Sequence, residues 1–187
     1  MLLFFFAGCH HVQSEEQAEA AYAGLDAAVD RALNLGMDGF NAASSANIDD
    51  QEAEGDTSGT MVVSGQVDQG ASDNKGLRLQ VALTDYSDTL GDDGEPDIVY
   101  DTDTPASLEI QLRDIPADES STGTLEGTLD GTFEMDGVLT GLVELSLAIS
   151  ADIAVDADGV LSRVEDSTTV AGTAESPYGT YEVDVTR

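Results

Sequence analysis

Residues 123–137 read GTLEGTLDGTFEMDG, the word Gly-Thr-apolar-acid said three times. A four-residue word is two turns of a two-residue period, so an extended chain keeps each residue type on its own face. Leu125, Leu129, Phe133 and Met135 then share one face with Gly123, Gly127 and Gly131, while Thr124, Glu126, Thr128, Asp130, Thr132 and Glu134 share the other. The acids are spaced too regularly along the strand to converge on one ion. The stretch reads as a long amphipathic strand whose inner glycines mark where the sheet bends or where something approaches its concave face.

The same period spreads outward in both directions. Downstream, Leu139, Gly141, Val143, Leu145, Leu147, Ile149, Ala151, Ile153 and Val155 all point one way, and Asp136-Gly137 between the two runs is a hairpin signal. Upstream, Met61, Val63 and Val67, then Leu77, Leu79, Val81 and Leu83, then Leu108, Ile110 and Leu112 alternate with polar residues. Ile98, Val99 and Tyr100 suit a short strand between acidic loops. Asp156-Ala157-Asp158-Gly159 predicts a second hairpin into a more polar, edge-like strand over 160–175. Pro177 ends it, and a last strand over 178–186 turns Tyr181, Val183 and Val185 inward.

Before the strands, Ser14-Glu15-Glu16-Gln17 has the form of a helix start: a Ser cap, Gln three residues later, and two acids at the positive end of the dipole. Tyr22, Leu25, Val29, Ala32 and Leu33 recur at spacings of three and four, and Leu35-Gly36 supplies a stop. The spacing predicts a helix over about 14–36. Residues 41–59 have no period and one large apolar residue, Ile48, and are expected as an acidic linker. The expected fold is mainly β (α+β): an N-terminal helix followed by a strongly curved antiparallel sheet or open barrel of about 7–8 strands, the β-domain spanning 60–187.

Charge narrows the function classes. Among 187 residues stand 38 acids and 6 bases, a net charge of −32. Such a surface repels nucleic-acid phosphates, so no nucleic-acid partner is expected. Repulsion of this size is relieved by salt, consistent with a saline setting or a secreted acidic protein.

The chain opens MLLFFFAGCHH: an apolar run from Leu2, then Ala7-Gly8 directly before the sole cysteine, Cys9. This resembles the lipobox of bacterial lipoproteins, whose signal peptide is removed just before a Cys that receives lipid. The resemblance implies a signal peptide over 1–8, a lipidated Cys9 at the head of a tether, helix and linker over 9–59, and export to the cell envelope with anchoring at the outer membrane. The run is shorter than the usual ~7–15 apolar residues and no cation precedes it, so a start further upstream is expected. A lone Cys forms no internal disulfide, and the run is too short to span a bilayer.

Two acidic loops are candidate metal sites. Asp156, Asp158, Gly159, Ser162 and Glu165 fit five positions of a calcium-binding EF-hand loop, although Ala154 stands at its first position. Residues 85–103 hold seven Asp, with Asp92, Asp93 and Asp97 set around a Gly-rich turn that resembles the Asp/Gly calcium repeats of secreted proteins. Ca2+ is therefore the one cofactor to consider. Both His residues fall in the tether, so the β-domain lacks the groups for Ser-His-Asp, Cys-His or His-ligated zinc chemistry. No phosphate-binding Gly loop or nucleophile elbow occurs. Paired carboxylates leave a hydrolase open on residue type alone, but sugar-processing clefts usually add aromatic platforms, and the chain has no Trp.

The expected function is a non-catalytic, lipid-anchored envelope β-domain with a structural or binding role. Gly127, Leu129, Gly131, Phe133, Gly141 and Val143 would line a groove for an apolar ligand or partner protein. A calcium-dependent adhesion module is the alternative, and a carboxylate hydrolase has the least support.

Overall fold

The computed structural model describes residues 10–69, 73–88, 97–157 and 160–187. Two helices, α1 (Glu15–Ala23) and α2 (Asp26–Ala42), precede ten strands among the described residues. These are β1 (Asn47–Glu54), β2 (Ser58–Gln69), β3 (Lys75–Ser87), β4 (Ile98–Asp101), β5 (Ala106–Arg113), β6 (Gly123–Gly137), β7 (Gly141–Val155), β8 (Leu161–Arg163), β9 (Thr169–Ser176) and β10 (Gly179–Thr186). All belong to one antiparallel sheet.

The pairing is simpler than the strand count. β3 binds β5 through Lys75↔Leu112 to Val81↔Ala106 and β4 at Tyr86↔Tyr100, while β6 binds the same two strands on its near side. β4 and β5 therefore fill one lane, interrupted at residues 102–105. β8 and β9 fill another, since both pair with β7. The sheet is an eight-lane meander in chain order, the expected architecture, with β1 and β10 as its edges.

The opening stretch is β6, and its burial follows the two-residue period: Leu125, Leu129, Phe133 and Met135 are buried, and the Thr and acid positions are exposed. It pairs with β7 from Gly123↔Ile153 to Met135↔Gly141. Asp136 and Gly137 still pair with Val99 and Ile98 of β4, so the reversal falls on residues 138–140, just past the expected Asp-Gly turn. The strand expected over 160–175 is divided, because the chain leaves the lane at 164–168, where Asp166 takes a φ of 60°. β9 is interior, between β7 and β10, and the edge is β10.

The helical region differs from expectation in three ways, each with a physical cause. One helix becomes two because the Ala21 carbonyl accepts a hydrogen bond from the Tyr100 hydroxyl (2.8 Å), while Leu25 N–H bonds back to Tyr22 O in a tight turn. Gly24 sits at that hydroxyl, only 2.4 Å from where a Cβ would lie. Gly36 does not stop α2. A Cβ there would stand 3.0 Å from the Leu79 methyls, and one at Gly39 would stand 2.3 Å from an Ile48 methyl, so both glycines let the helix settle onto β3 and β1. The stretch read as linker contains β1, anchored by buried Ile48.

α1 packs on β10 and α2 on β1 and β2. The helical pair thus reaches from the β10 edge of the sheet to its β1 edge. Its buried face (Ala18, Ala21, Tyr22, Leu25, Val29, Ala32, Leu33) joins the inner faces of the strands in one core. No helix among the described residues is long and apolar enough to cross a membrane.

Candidate functional site

Two of the expected groove residues, Leu129 and Phe133, meet beneath α2. Leu129 and Phe133 are buried and, with Val81, Leu83, Ala106 and Leu108 of the sheet and Leu25, Ala28, Val29 and Ala32 of the helical pair, surround a residual cavity of ≈ 20 Å³. That is about the space of one water molecule, and an apolar void of this kind stays dry. Val143 is fully buried nearby.

The glycines serve close approach of the protein's own backbone and side chains. A Cβ at Gly131 would lie 2.6 Å from the Ala106 Cβ, and one at Gly127 would lie 2.6 Å from the Glu109 carbonyl oxygen. β5, the antiparallel neighbour of β6, therefore lies tightly against it at both positions. Gly141, at a φ of 89°, faces a different neighbour: the His11 ring, 2.7 Å from where its Cβ would stand.

His11 belongs to an N-terminal segment that is docked on the sheet rather than loose. Thr140 N–H donates to His10 O (2.9 Å), and the His11 Nδ1 lies 2.8 Å from Thr140 O. His10 bridges Leu139 in parallel, and Ser176 Oγ donates to Val12 O at 2.7 Å. The His11 ring stacks at 32° on Tyr178, centroids 5.1 Å apart, and Val12 is buried. Two histidines expected in a tether thus fix the chain to the end of the β6–β7 and β9–β10 hairpins. Cys9 immediately precedes this segment and lies outside the described residues.

The metal candidates do not converge. Asp92, Asp93 and Asp158 lie outside the described residues. Asp97 is exposed at the start of β4, where its carbonyl oxygen accepts from Val138 N–H (3.0 Å). Asp156 closes the β7–β8 hairpin: its Oδ1 accepts from Val160 N–H (2.9 Å) and its own N–H donates to Val160 O (3.1 Å). These two stand near opposite ends of β7, on the order of 45 Å apart at ~3.3 Å per residue, so they cannot share an ion. Among the described residues, no group of three or more His, Cys, Asp or Glu side chains is placed to hold a metal.

Two polar clusters were missed in the sequence, both built on scarce arginines. Arg163 of β8 reaches α2, where Nε and Nη2 bind the two Asp30 oxygens (2.8 and 3.0 Å) and Nη1 binds Asp26 Oδ1 (2.9 Å). Tyr22 donates its hydroxyl to the same Asp26 oxygen at 2.6 Å. Burial works against the Arg163 charge, but Asp30 and Asp26 outweigh it and raise its pKa. Burial first, then the Asp26 carboxylate, holds the Tyr22 hydroxyl far above its usual range.

The second cluster ties Arg31 of α2 to Asp56 in the β1–β2 turn (2.7 Å) and to Asp88 after β3 (3.1 Å). Asp88 also accepts from the Asp56 N–H (3.0 Å) and from the Tyr86 hydroxyl. Burial and then the bond to Asp88 raise the Tyr86 pKa. The one sequence signal was composition, since a half-buried cation in so acidic a chain finds carboxylates readily. Both clusters join helix to sheet, and Asp30 of the first and Arg31 of the second border one open surface depression with Asn34, Asp38 and Val160. Comparison with protein-family models, curated proteins and solved structures returns no match to this chain.

Proposed function

We propose that this protein is a non-catalytic envelope domain, exported and held at a membrane by lipid on Cys9, with a structural or partner-binding role on its outer surface. The observation that carries the reading is the run Leu2 to Ala7 followed by Gly8 and the sole cysteine. The docked segment from His10 to Val12 supports it, because it brings an anchor on the preceding residue right up against the folded body. A short, fixed connection would hold the sheet at the bilayer rather than on a long leash.

Two observations favour a structural or partner-binding role over chemistry or ligand storage. The concave side of the sheet is occupied by the protein's own helices, and the remaining ≈ 20 Å³ is far below the ~300–1,000 Å³ of an ordinary ligand site. The buried polar side chains Arg163, Tyr22 and Tyr86 are committed to hydrogen bonds within the two clusters that join helix to sheet.

Mass spectrometry of the protein from detergent-extracted membranes tests the anchor. Diacylglyceryl and N-acyl mass on a chain beginning at Cys9 is expected. An unmodified Cys9 in the soluble fraction would sink the localisation.

A further inference from the structure

Among the described residues, four large hydrophobic side chains stand exposed: Val138 (51 %), Leu142 (55 %), Tyr178 (54 %) and Val160 (47 %). Single exposed apolar residues are ordinary and need no explanation. The distribution of these four is not ordinary. Val138 lies in the β6–β7 reversal, Leu142 begins the outer face of β7, and Tyr178 sits in the β9–β10 turn. The segment of His10 and His11 touches all three neighbourhoods: it bridges Leu139, packs on Gly141 and stacks on Tyr178. Val160 lies at the far end of β7, beside α2. Three of the four thus gather where the chain enters the fold from residue 9.

We infer that this end of the sheet, carrying Val138, Leu142 and Tyr178, rests on the headgroup–acyl boundary of a bilayer beside the anchored Cys9, an inference that depends on the lipid-anchored reading above. A Tyr suits that depth, with its ring in the apolar layer and its hydroxyl in the wet one. Geometry brings the surface within reach, since Cys9 directly precedes the bonded His10 in the chain. An acyl anchor there raises the effective lipid concentration at these three side chains and makes a weak apolar contact persistent.

Charge selects the kind of bilayer. Leu142 stands across from Glu134, Glu144 faces Glu175, and Asp136 lies beside the reversal. These acids ring the apolar side chains and are repelled by anionic head groups, so the fitting surface is zwitterionic lipid. Salt screens the ring and strengthens the contact, opposite in sign to the salt response of proteins that bind membranes through basic patches.

The test uses the full chain, coupled through Cys9 to a maleimide-bearing lipid in phosphatidylcholine vesicles whose acyl chains carry bromine. The protein has no Trp, so Leu142→Trp, Tyr178→Trp and Val160→Trp each supply a single reporter at an exposed site. Bromine should quench the reporters at 142 and 178 at least about twofold more than that at 160, as expected for insertion to the interfacial depth. Replacing part of the phosphatidylcholine with phosphatidylglycerol should weaken that quenching in low salt, and added sodium chloride should restore it. Equal quenching at all three sites, or none at 142 and 178, overturns the orientation. Stronger quenching on the anionic vesicles overturns the charge argument. Because coupling is chemical, the outcome does not depend on whether cells lipidate Cys9, which the mass measurement above decides separately.

Discussion

Arg163 on β8 and Asp30 on α2, 133 positions apart in the chain, meet through two hydrogen bonds of 2.8 and 3.0 Å. The Arg163 side chain is 5 % exposed, and its guanidinium fork is filled further by Asp26. This pairing fixes α2 to the strand beyond the β7–β8 hairpin, a place where few apolar contacts do so. Arg163→Met should keep the stem's packing but leave two carboxylates and the Tyr22 hydroxyl without their cation. Breaking a buried pair typically costs 3–5 kcal/mol. Asp26 and Asp30 are 20 % and 32 % exposed and can recover water, so a loss of about 1–3 kcal/mol in urea denaturation is expected. Arg163→Lys should recover only part of it, because an ammonium cannot reproduce the two-pronged bond. Full stability in both variants would show that the pairing is passive.

Alkaline pH should unfold the protein through its buried phenols. Tyr22 and Tyr86 are fully buried, and burial followed by an adjacent carboxylate raises the pKa of each in the folded state. In the unfolded chain they ionise near the usual value of about 10. A group raised on folding contributes stability that is complete below its unfolded pKa and is lost as pH climbs toward its folded one. Unfolding free energy should therefore be insensitive to these groups below about pH 9.5, then fall by roughly 1.4 kcal/mol per pH unit for each tyrosine. Tyr22→Phe and Tyr86→Phe should each remove one share of that slope, at some cost in neutral stability from the lost hydrogen bond. Tyrosinate absorbance should rise together with unfolding. Ionisation of both phenols in the folded state would contradict the burial argument.

The strands were readable because a one-residue slip would turn Leu125, Leu129 and Phe133 to solvent, so the period alone sets face and register. The helical region was less readable because its deciding partners lie far off in sequence. Nothing near Gly24 announces Tyr100, and nothing near Gly36 or Gly39 announces Leu79 or Ile48. Glycines that read as a helix stop are the contact face instead. The inner face was visible in the sequence, but no local pattern says that Leu25, Val29 and Ala32 lie over Leu129 and Phe133. The Arg163 cluster depends on a convergence of β8, α1 and α2 that local pattern cannot supply.

The outer face carries a repulsion that should be removable. Glu144 of β7 and Glu175 of β9 stand directly opposite one another. Like charges in that relation destabilise a sheet by a few tenths of a kcal/mol to about 1 kcal/mol. Glu175→Lys should raise stability by about 0.5 kcal/mol or more in low salt, and the gain should shrink as sodium chloride shortens the screening length from about 10 Å at 0.1 M to about 3 Å at 1 M. The wild-type protein should itself gain stability over the same range, because its net charge of −32 is screened. A melting temperature unmoved by salt would show that the acids are already neutralised by bound cations.

The close lateral approach of β5 to β6 predicts a specific rescue. In Gly131→Ala the new methyl meets the Ala106 Cβ at 2.6 Å and the Ala106 Cα at 3.0 Å, so the strands must part slightly. A cost of about 1–3 kcal/mol is expected for such overpacking. Ala106→Gly removes the nearer of the two atoms, and the double variant should be more stable than the sum of the single losses predicts. Additive losses would place the strain elsewhere.

Phe133 decides whether the inner face can hold a ligand. Its ring is 2 % exposed, stands edge-on to Tyr100 (centroids 6.2 Å apart, 86°) and borders the ≈ 20 Å³ cavity under α2. Phe133→Ala should cost about 3–5 kcal/mol, the transfer of a ring plus the cavity it leaves. The enlarged void would be walled by Leu25, Val29, Leu108 and Leu129, apolar enough to stay dry and to take a small hydrocarbon. Benzene should therefore raise the melting temperature of the variant and leave that of the wild type unchanged. A fluorescent fatty-acid probe should bind neither, since a long chain would need α2 to lift off the sheet and expose its Val29 and Leu33 face. Saturable binding of the probe to the wild type, displaced by free fatty acid, would overturn the packed-core reading and restore the concave face as a ligand site.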